Sequence, residues 1–436
     1  MLRATLFVLA VLTAGAASAQ GTRTVPLVDH HQHLLSPASA ARLVIEPPTP
    51  VVLPAEFAQL LKAREAAWND KAGLAAIFTP DAAVLDDREH VWLKADKAVE
   101  LVAGRFARPY QVTPIAFSQS SDDAYIAGYF SRGSGAELKH IGQALLLLRK
   151  TAGGWRIAAE SQSFPGPGAT DPIDAERLVT LLDQAGIKRA VVLSLAYWYG
   201  SPLDPPVPDE LAKVRAENDW TAAQAARYPD RLVAFCSFNP LKDYALAELG
   251  RCTKDGRSKG LKLHLGNSGV DLKNPEHVVK LRTVFAAANA RRVPIVVHMW
   301  TLDPAYGRPE AEAMLNQILP AAPDIVVQVA HMAGGGPGWT DEALEVFANA
   351  IQAKDPRTRN LYVDVATVAD RQNHEQLQLM ARRIRQIGPE RILYGSDAAF
   401  AGNNPPDQEW GTFRGMVPLT DEEFRIIANN VAPYLR

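Results

Sequence analysis

Val28-Asp29-His30-His31-Gln32-His33 puts two imidazoles two residues apart at the end of a short apolar run. Positions two apart on an extended strand share a side, so His31 and His33 can converge on one cation and leave Asp29 and His30 for other work. A His-x-His pair alone is weak evidence. Its weight comes from three further residues that also stop apolar, β-branched runs. His298 ends Pro294–His298, His331 follows Ile325–Ala330, and Asp397 ends Arg391–Asp397. Taken singly, a strand-end His or Asp caps a helix or satisfies a polar neighbour. Taken together, they are the donor types a divalent ion needs.

The elements that must position them follow an alternating pattern. From about Asp174 onward, short β-branched runs alternate with amphipathic stretches, the pattern of parallel strands covered by helices. The strands are expected at Arg189–Leu195, Arg231–Phe238, Gly260–Leu265, Pro294–Met299, Ile325–Ala330, Asn360–Val365 and Arg391–Ser396. Helices are expected at Ala175–Ala185, Leu211–Arg227, Glu276–Arg291, Ala311–Ile318, Asp341–Ile351 and Glu375–Ile387, with Thr420-Asp421-Glu422-Glu423 capping a last one. Seven strands need an eighth to close a (β/α)8 barrel, and Thr24–Asp29 is the remaining run. In such a barrel all strand C-terminal ends open on one face, where the active site lies.

Between that first strand and the first downstream helix lie roughly 140 residues, far more than a βα loop holds, so a domain is inserted there. Pro47-Pro48-Thr49-Pro50 and Phe164-Pro165-Gly166-Pro167-Gly168 bracket it as linkers. Inside, Glu56–Asp70 has helical periodicity, Phe78-Thr79-Pro80-Asp81 is expected to turn, and strand-like runs occur at Ala82–Leu85, Ala124–Phe130, Gln143–Arg149 and Trp155–Ala159. The division is thus 1–19 a signal segment, 20–50 the first strand and linker, 52–164 the insert and 171–436 the rest of the barrel. Because the insert follows the strand carrying His31 and His33, it is expected near the site face, as a partial lid or a dimerisation platform.

A chain of 436 residues with 47% hydrophobic content can bury one large core and a smaller one. Its formal net charge of −2 gives no basic surface for a nucleic acid partner. Met1-Leu2-Arg3, an apolar run and Ala17-Ser18-Ala19 have the layout of a cleavable export signal, so a periplasmic or secreted enzyme without a membrane anchor is expected. Cys236 and Cys252 could pair in an oxidising compartment; a buried thiol is the blander expectation for Cys236, inside Val233-Ala234-Phe235-Cys236.

On Asp29-His30-His31-Gln32-His33, Gly260-Leu261-Lys262-Leu263-His264, His298, Ala330-His331-Met332-Ala333-Gly334-Gly335 and Tyr394-Gly395-Ser396-Asp397, the chain resembles the amidohydrolase superfamily. Within it, the similarity is to the amidohydrolase-related (amidohydrolase 2) branch, which holds both hydrolases and non-oxidative decarboxylases. The insert resembles the nuclear transport factor 2-like, or SnoaL-like, cone fold. The resemblance implies that His31, His33, His298 and Asp397 ligate one divalent metal, with His331 beside the reacting group. Zn2+ suits these donors best, with Mn2+ or Fe2+ as alternatives. Lys262 is either a carbamylated bridge to a second metal or, as the mononuclear branch favours, a barrel-interior lysine paired to a carboxylate.

The expected reaction is hydrolysis of an ester, lactone or amide of a small molecule by metal-activated water. In it Asp397 moves the proton and His331 polarises the carbonyl. The alternative is non-oxidative decarboxylation of an unsaturated or aromatic carboxylate, and a third reading is a ligand-binding protein without turnover. Tyr197 and Trp198, with Tyr199, offer an aromatic wall. Arg308 and Arg371 could clamp a carboxylate, and Asp364 is expected to be a hydrogen-bonding group of the barrel. Self-association of the chain is possible on these grounds but not specified by them.

Overall fold

A computed structural model describes residues 24–43, 49–86, 91–104, 110–132, 139–163, 172–300, 303, 305–398 and 403–436. The expected signal segment and the Phe164–Gly168 linker lie outside the described residues.

The first strand, β1, is Val28–Gln32, and a helix Pro37–Leu43 follows it. Pairing begins at Val28 rather than at Thr24, since Pro26 has no N–H to give to a ladder. Six strands of the insert come next: β2 (Phe78–Asp86), β3 (Val91–Lys94), β4 (Gln111–Gln119), β5 (Asp123–Arg132), β6 (Lys139–Thr151) and β7 (Gly154–Ser163). They form one sheet in the order β3-β2-β7-β6-β5-β4, antiparallel except for β2 beside β7. Helices Ala55–Ala66, Lys71–Ile77 and Asp96–Gly104 belong to the same α+β unit. Phe57, Leu60, Leu74, Val102, Ile126, Leu146 and Ile157 build its own core. The Phe78-Thr79-Pro80-Asp81 turn is not formed; these residues open β2, and Pro80 falls where the register with β7 shifts between Phe78 and Ala83.

Seven strands complete the larger sheet: β8 (Arg189–Leu193), β9 (Leu232–Ser237), β10 (Gly260–His264), β11 (Ile295–His298), β12 (Val327–Val329), β13 (Leu361–Asp364) and β14 (Ile392–Leu393). The order β1-β8-β9-β10-β11-β12-β13-β14 is parallel throughout. The ends meet as well, because the His30 amide donates to Tyr394 O at 2.8 Å and the Asp397 amide to His31 O at 2.7 Å. These bonds close the ring of a (β/α)8 barrel. Val28, Val191, Leu193, Val233, Phe235, Val296 and Ala330 pack in one cluster of buried side chains. The covering helices include Ala175–Ala185, which starts on an Asp174 cap, and Asp421–Asn429, where Thr420 and Glu423 form the expected capping box.

The insert leaves and rejoins the barrel at one point. Leu35, just past β1, and Ile173 form an antiparallel bridge with backbone bonds of 3.0 and 2.9 Å. Both are buried. One expectation is corrected here: Cys236 is not a free thiol but is bonded to Cys252, tying β9 to the helix Ala245–Cys252.

Candidate metal centre

β1, β10, β11 and the segments just past β8, β12 and β14 all deliver side chains to a cavity of about 210 Å3 at the strands' C-terminal ends. Its walls include His31, His33, Lys262, His264, His298, His331 and Asp397. Three of these imidazoles set Nδ1 against an oxygen acceptor. His31 Nδ1 is 2.9 Å from Asp364 Oδ2, His33 Nδ1 is 2.7 Å from Leu193 O, and His331 Nδ1 is 2.8 Å from Ala366 O. An oxygen acceptor at Nδ1 fixes the proton there and leaves the Nε2 lone pair for a cation. Burial lowers the pKa of His31 to about 3 and holds His33, His264 and His298 well below the usual histidine value, so they are neutral, as ligands must be.

The donor spacing fits one ion. Asp397 Oδ1 lies 3.6 Å from His31 Nε2 and 3.4 Å from His33 Nε2. Tetrahedral arms of ~2.1 Å separate neighbouring donors by ~3.4 Å. Donor atoms of His31, His331 and Asp397 all lie within 4.8 Å of one another. His298, expected as a ligand, lines the same cavity, stacks on His264 at 3.9 Å and meets the His331 ring edge-on at 4.9 Å. His264 accepts the Asn267 amide on Nδ1 at 3.1 Å, which puts its own proton on Nε2 and makes it a donor to whatever enters.

Two site residues sit on left-handed backbone, His331 at φ 53° and Asp397 at φ 50°. Such positions cost about 1–3 kcal/mol each and persist where the surroundings over-determine them. Here the His331 amide donates to Asp364 Oδ1 at 2.8 Å and the Asp397 amide to His31 O. Asn403 Nδ2 donates to Asp397 O at 2.6 Å and to its Oδ2 at 3.1 Å. Asp364 is the hub. Burial alone pushes its pKa up, but His31 and His331 outweigh it and hold the carboxyl well below the usual range. Asp29 and His30 serve the scaffold. Asp29 takes Ser396 Oγ at 2.6 Å and Gln32 Nε2 at 2.7 Å, while His30 bridges Tyr394 O and the Ala432 amide.

Lys262 is buried, and its Nζ lies 3.1 Å from His31 Nε2. Its direct partner is therefore an imidazole rather than the expected carboxylate. Burial lowers its pKa to about 8 against the opposing pull of Asp397 and Asp364. Tyr197 and Trp198 line the cavity as expected. Arg308 does not: it opens the helix Arg308–Ala313 and pairs with Glu345 at 2.5 Å, because that helix carries it outward. The Arg371 side chain lies outside the described residues. Asn267 and Asn403 were not anticipated, for both come from loops without a pattern. His264 enters the sequence reading only within Gly260-Leu261-Lys262-Leu263-His264, although its strand-end position is the same signal that marks His298.

The amidohydrolase family model matches residues 206–430. No curated protein matches the chain. Among solved structures, similarity extends to 2,6-dihydroxybenzoate decarboxylase from Rhizobium, at 18% identity over 58% of this chain and 84% of that one, with a TM-score of 0.40. A 5-carboxyvanillate decarboxylase from Sphingomonas paucimobilis gives 19%, 57%, 79% and 0.41 in the same terms. A putative amidohydrolase from Staphylococcus aureus gives 18%, 58%, 88% and 0.41. Likeness this distant carries nothing about chemistry. The family match over more than half the length, with a His/His/Asp grouping at the mouth of the barrel, makes this chain a member of the amidohydrolase family and a metal-dependent enzyme of hydrolase or decarboxylase type.

Proposed function

We propose that the enzyme acts on a small molecule bearing a carboxylate and removes that carboxylate without oxidation. Lys262 is the observation that carries this reading. Among the described residues on the cavity wall, Lys262 and Asp397 are the Lys and Asp beside His31, His33, His264 and His298, whose imidazoles are neutral, and a cation held by Asp397 leaves the site positive. A substrate carboxylate restores the balance. His31, His33, His331 and Asp397 are the residues we assign to one divalent ion, with His298 beside them; zinc, manganese and iron all suit the donors. When bound, such an ion supplies Lewis-acid polarisation of the substrate's oxygen.

In decarboxylation the carbon–carbon bond to the carboxylate breaks, its electron pair stays on the unsaturated or aromatic carbon, and carbon dioxide leaves. Asp397, steadied by Asn403, relays to that carbon a proton that it first takes from water. Lys262 and the His264 Nε2–H hold the departing group's oxygens, and Tyr197 and Trp198 flank the apolar body. Hydrolysis of an ester, lactone or amide is the second reading, favoured by Asp397 standing beside imidazole nitrogens where it can take a proton from water and return it to a leaving group. Metal-loaded enzyme offered a panel of aromatic and unsaturated acids, lactones, esters and amides decides between them. Carbon dioxide release supports the first reading, and acid release from lactones or esters without it replaces that reading by the second.

Residues 52–164 we assign to the nuclear transport factor 2-like type on the strength of the six-stranded, mostly antiparallel sheet with three helices. Export to an oxidising compartment is supported by the Cys236–Cys252 bond.

A further inference from the structure

Gln328 lies in the middle of β12 and is fully buried. An amide there costs stability unless both of its ends are matched. Both are. Its Nε2 donates to Asp364 Oδ2 at 2.7 Å and lies 3.3 Å from His30 O, while its Oε1 accepts the Tyr434 hydroxyl at 2.6 Å. The carboxylate decides which end is which. An anionic oxygen can face only the NH2 end, so Oε1 points the other way and Tyr434 must donate to it.

Asp364 Oδ2 thus takes two side-chain donors, Gln328 Nε2 and the His31 Nδ1–H at 2.9 Å. Its Oδ1 takes the backbone amides of His331 at 2.8 Å and Ala366 at 3.3 Å. Tyr434 stands at the opposite end of the barrel from the metal centre. It belongs to the turn Pro433–Leu435, its ring lies 5.3 Å from that of Phe235, and it shares a wall with Arg189, Leu232 and Lys259, where β8, β9 and β10 begin. The metal cavity opens where the strands end, and Tyr434 is not among its walls. Hydrogen bonds therefore run through the barrel from the Tyr434 hydroxyl at its floor, by way of Gln328 and Asp364, to the His31 imidazole at its mouth.

We infer that Gln328 and Tyr434 are positioning residues of the metal centre, which act through Asp364 to hold His31 in its ligating orientation; this rests on the reading of His31 as a ligand. The Tyr434 hydroxyl fixes the amide plane and, by polarising the amide, strengthens its N–H as a donor. The amide then keeps Oδ2 where the His31 Nδ1–H meets it, which leaves the Nε2 lone pair aimed at the ion. A substrate at the metal centre does not reach Tyr434, so an effect of that hydroxyl on the centre is carried by this path.

The test measures Zn2+ affinity by chelator competition and, by NMR with histidine-selective labelling, the His31 Nδ1–H proton resonance with and without Zn2+. Wild type, Tyr434→Phe, Gln328→Met and the double variant are compared. Tyr434→Phe removes the hydroxyl and keeps the ring against Phe235, so the fold is retained. Zn2+ binding weakened roughly three- to tenfold by Tyr434→Phe and further by Gln328→Met, with the resonance moved upfield in both, is the expected result. The double variant should bind no more weakly than Gln328→Met alone, which separates a path through Gln328 from two independent structural losses. Unchanged affinity and resonance in Tyr434→Phe, additive losses in the double variant, or tighter binding with the resonance moved downfield, as competition between Gln328 and His31 for Oδ2 would give, each overturn the proposal. A wild type that binds no Zn2+ refutes the ligand reading instead, and the resonance without metal then decides whether Gln328 and Tyr434 align His31.

Discussion

His31 Nδ1 stands 2.9 Å from Asp364 Oδ2, and the other oxygen of the same carboxylate accepts the His331 amide at 2.8 Å. One buried residue on β13 therefore orients a side chain of β1 and holds the strained backbone after β12. Asp364 is buried and does not line the cavity; it positions groups that do. Asp364→Asn is expected to lower metal affinity roughly ten- to hundredfold, with turnover restored by excess metal. Chelator-competition titrations read the affinity, and lost turnover at unchanged metal affinity would contradict the positioning role.

Lys262→Met tests the charge argument. Removing the ammonium takes one charge-assisted hydrogen bond, about 1.5–3 kcal/mol, from the carboxylate substrate. We expect KM for an acid substrate to rise at least roughly tenfold while kcat falls less. Equal losses on charged and neutral substrates would remove Lys262 from substrate binding.

The Cys236–Cys252 bond closes a segment with a sequence separation of 16. Constraining the unfolded chain over such a loop is worth about 3 kcal/mol. A Cys236→Ala/Cys252→Ala variant should lose that much in denaturant unfolding of the barrel; an unchanged midpoint would show that the bond is idle.

Glu423 carries a pH signature. Arg385, at 2.6 and 3.0 Å from its two oxygens, lowers its pKa from 4.5 to about 2 despite partial burial, with help from Thr420. A depressed carboxyl pKa stabilises the fold above the unfolded value and loses that contribution as pH falls. Because Arg385 is 45% exposed, solvent screening reduces the contribution to about 1 kcal/mol. Wild type should thus exceed Glu423→Gln in stability at pH 7 and converge with it between pH 4.5 and about 2. A gap that persists at pH 2 would place its origin elsewhere.

Much of the site was legible because barrel topology turns a one-dimensional signal, a polar residue at the end of an apolar run, into a shared location. His31, His33, His298, His331 and Asp397 all line one cavity for that reason. What spacing could not give was partnership across the ring. Asp364 and His31 lie 333 residues apart, and the choice of Nδ1 for the scaffold and Nε2 for the cation exists only in three dimensions. Arg308 misled because a residue soon after a strand can open the covering helix and face solvent. In the insert, β4 was missed because Pro114 interrupts its pattern; it is an edge strand with a register shift there, where proline is tolerated. The Cys236 expectation failed because burial and bonding leave the same apolar signature around a cysteine.

The central claim is that His31, His33, His331 and Asp397 hold one divalent ion on which turnover depends. Elemental analysis of purified protein after exhaustive dialysis, run in parallel on Asp397→Asn, measures it most directly. The account predicts close to one ion per chain in the wild type and a large loss in the variant. Equal metal content in both proteins, or a wild type that holds none after metal loading, would contradict it.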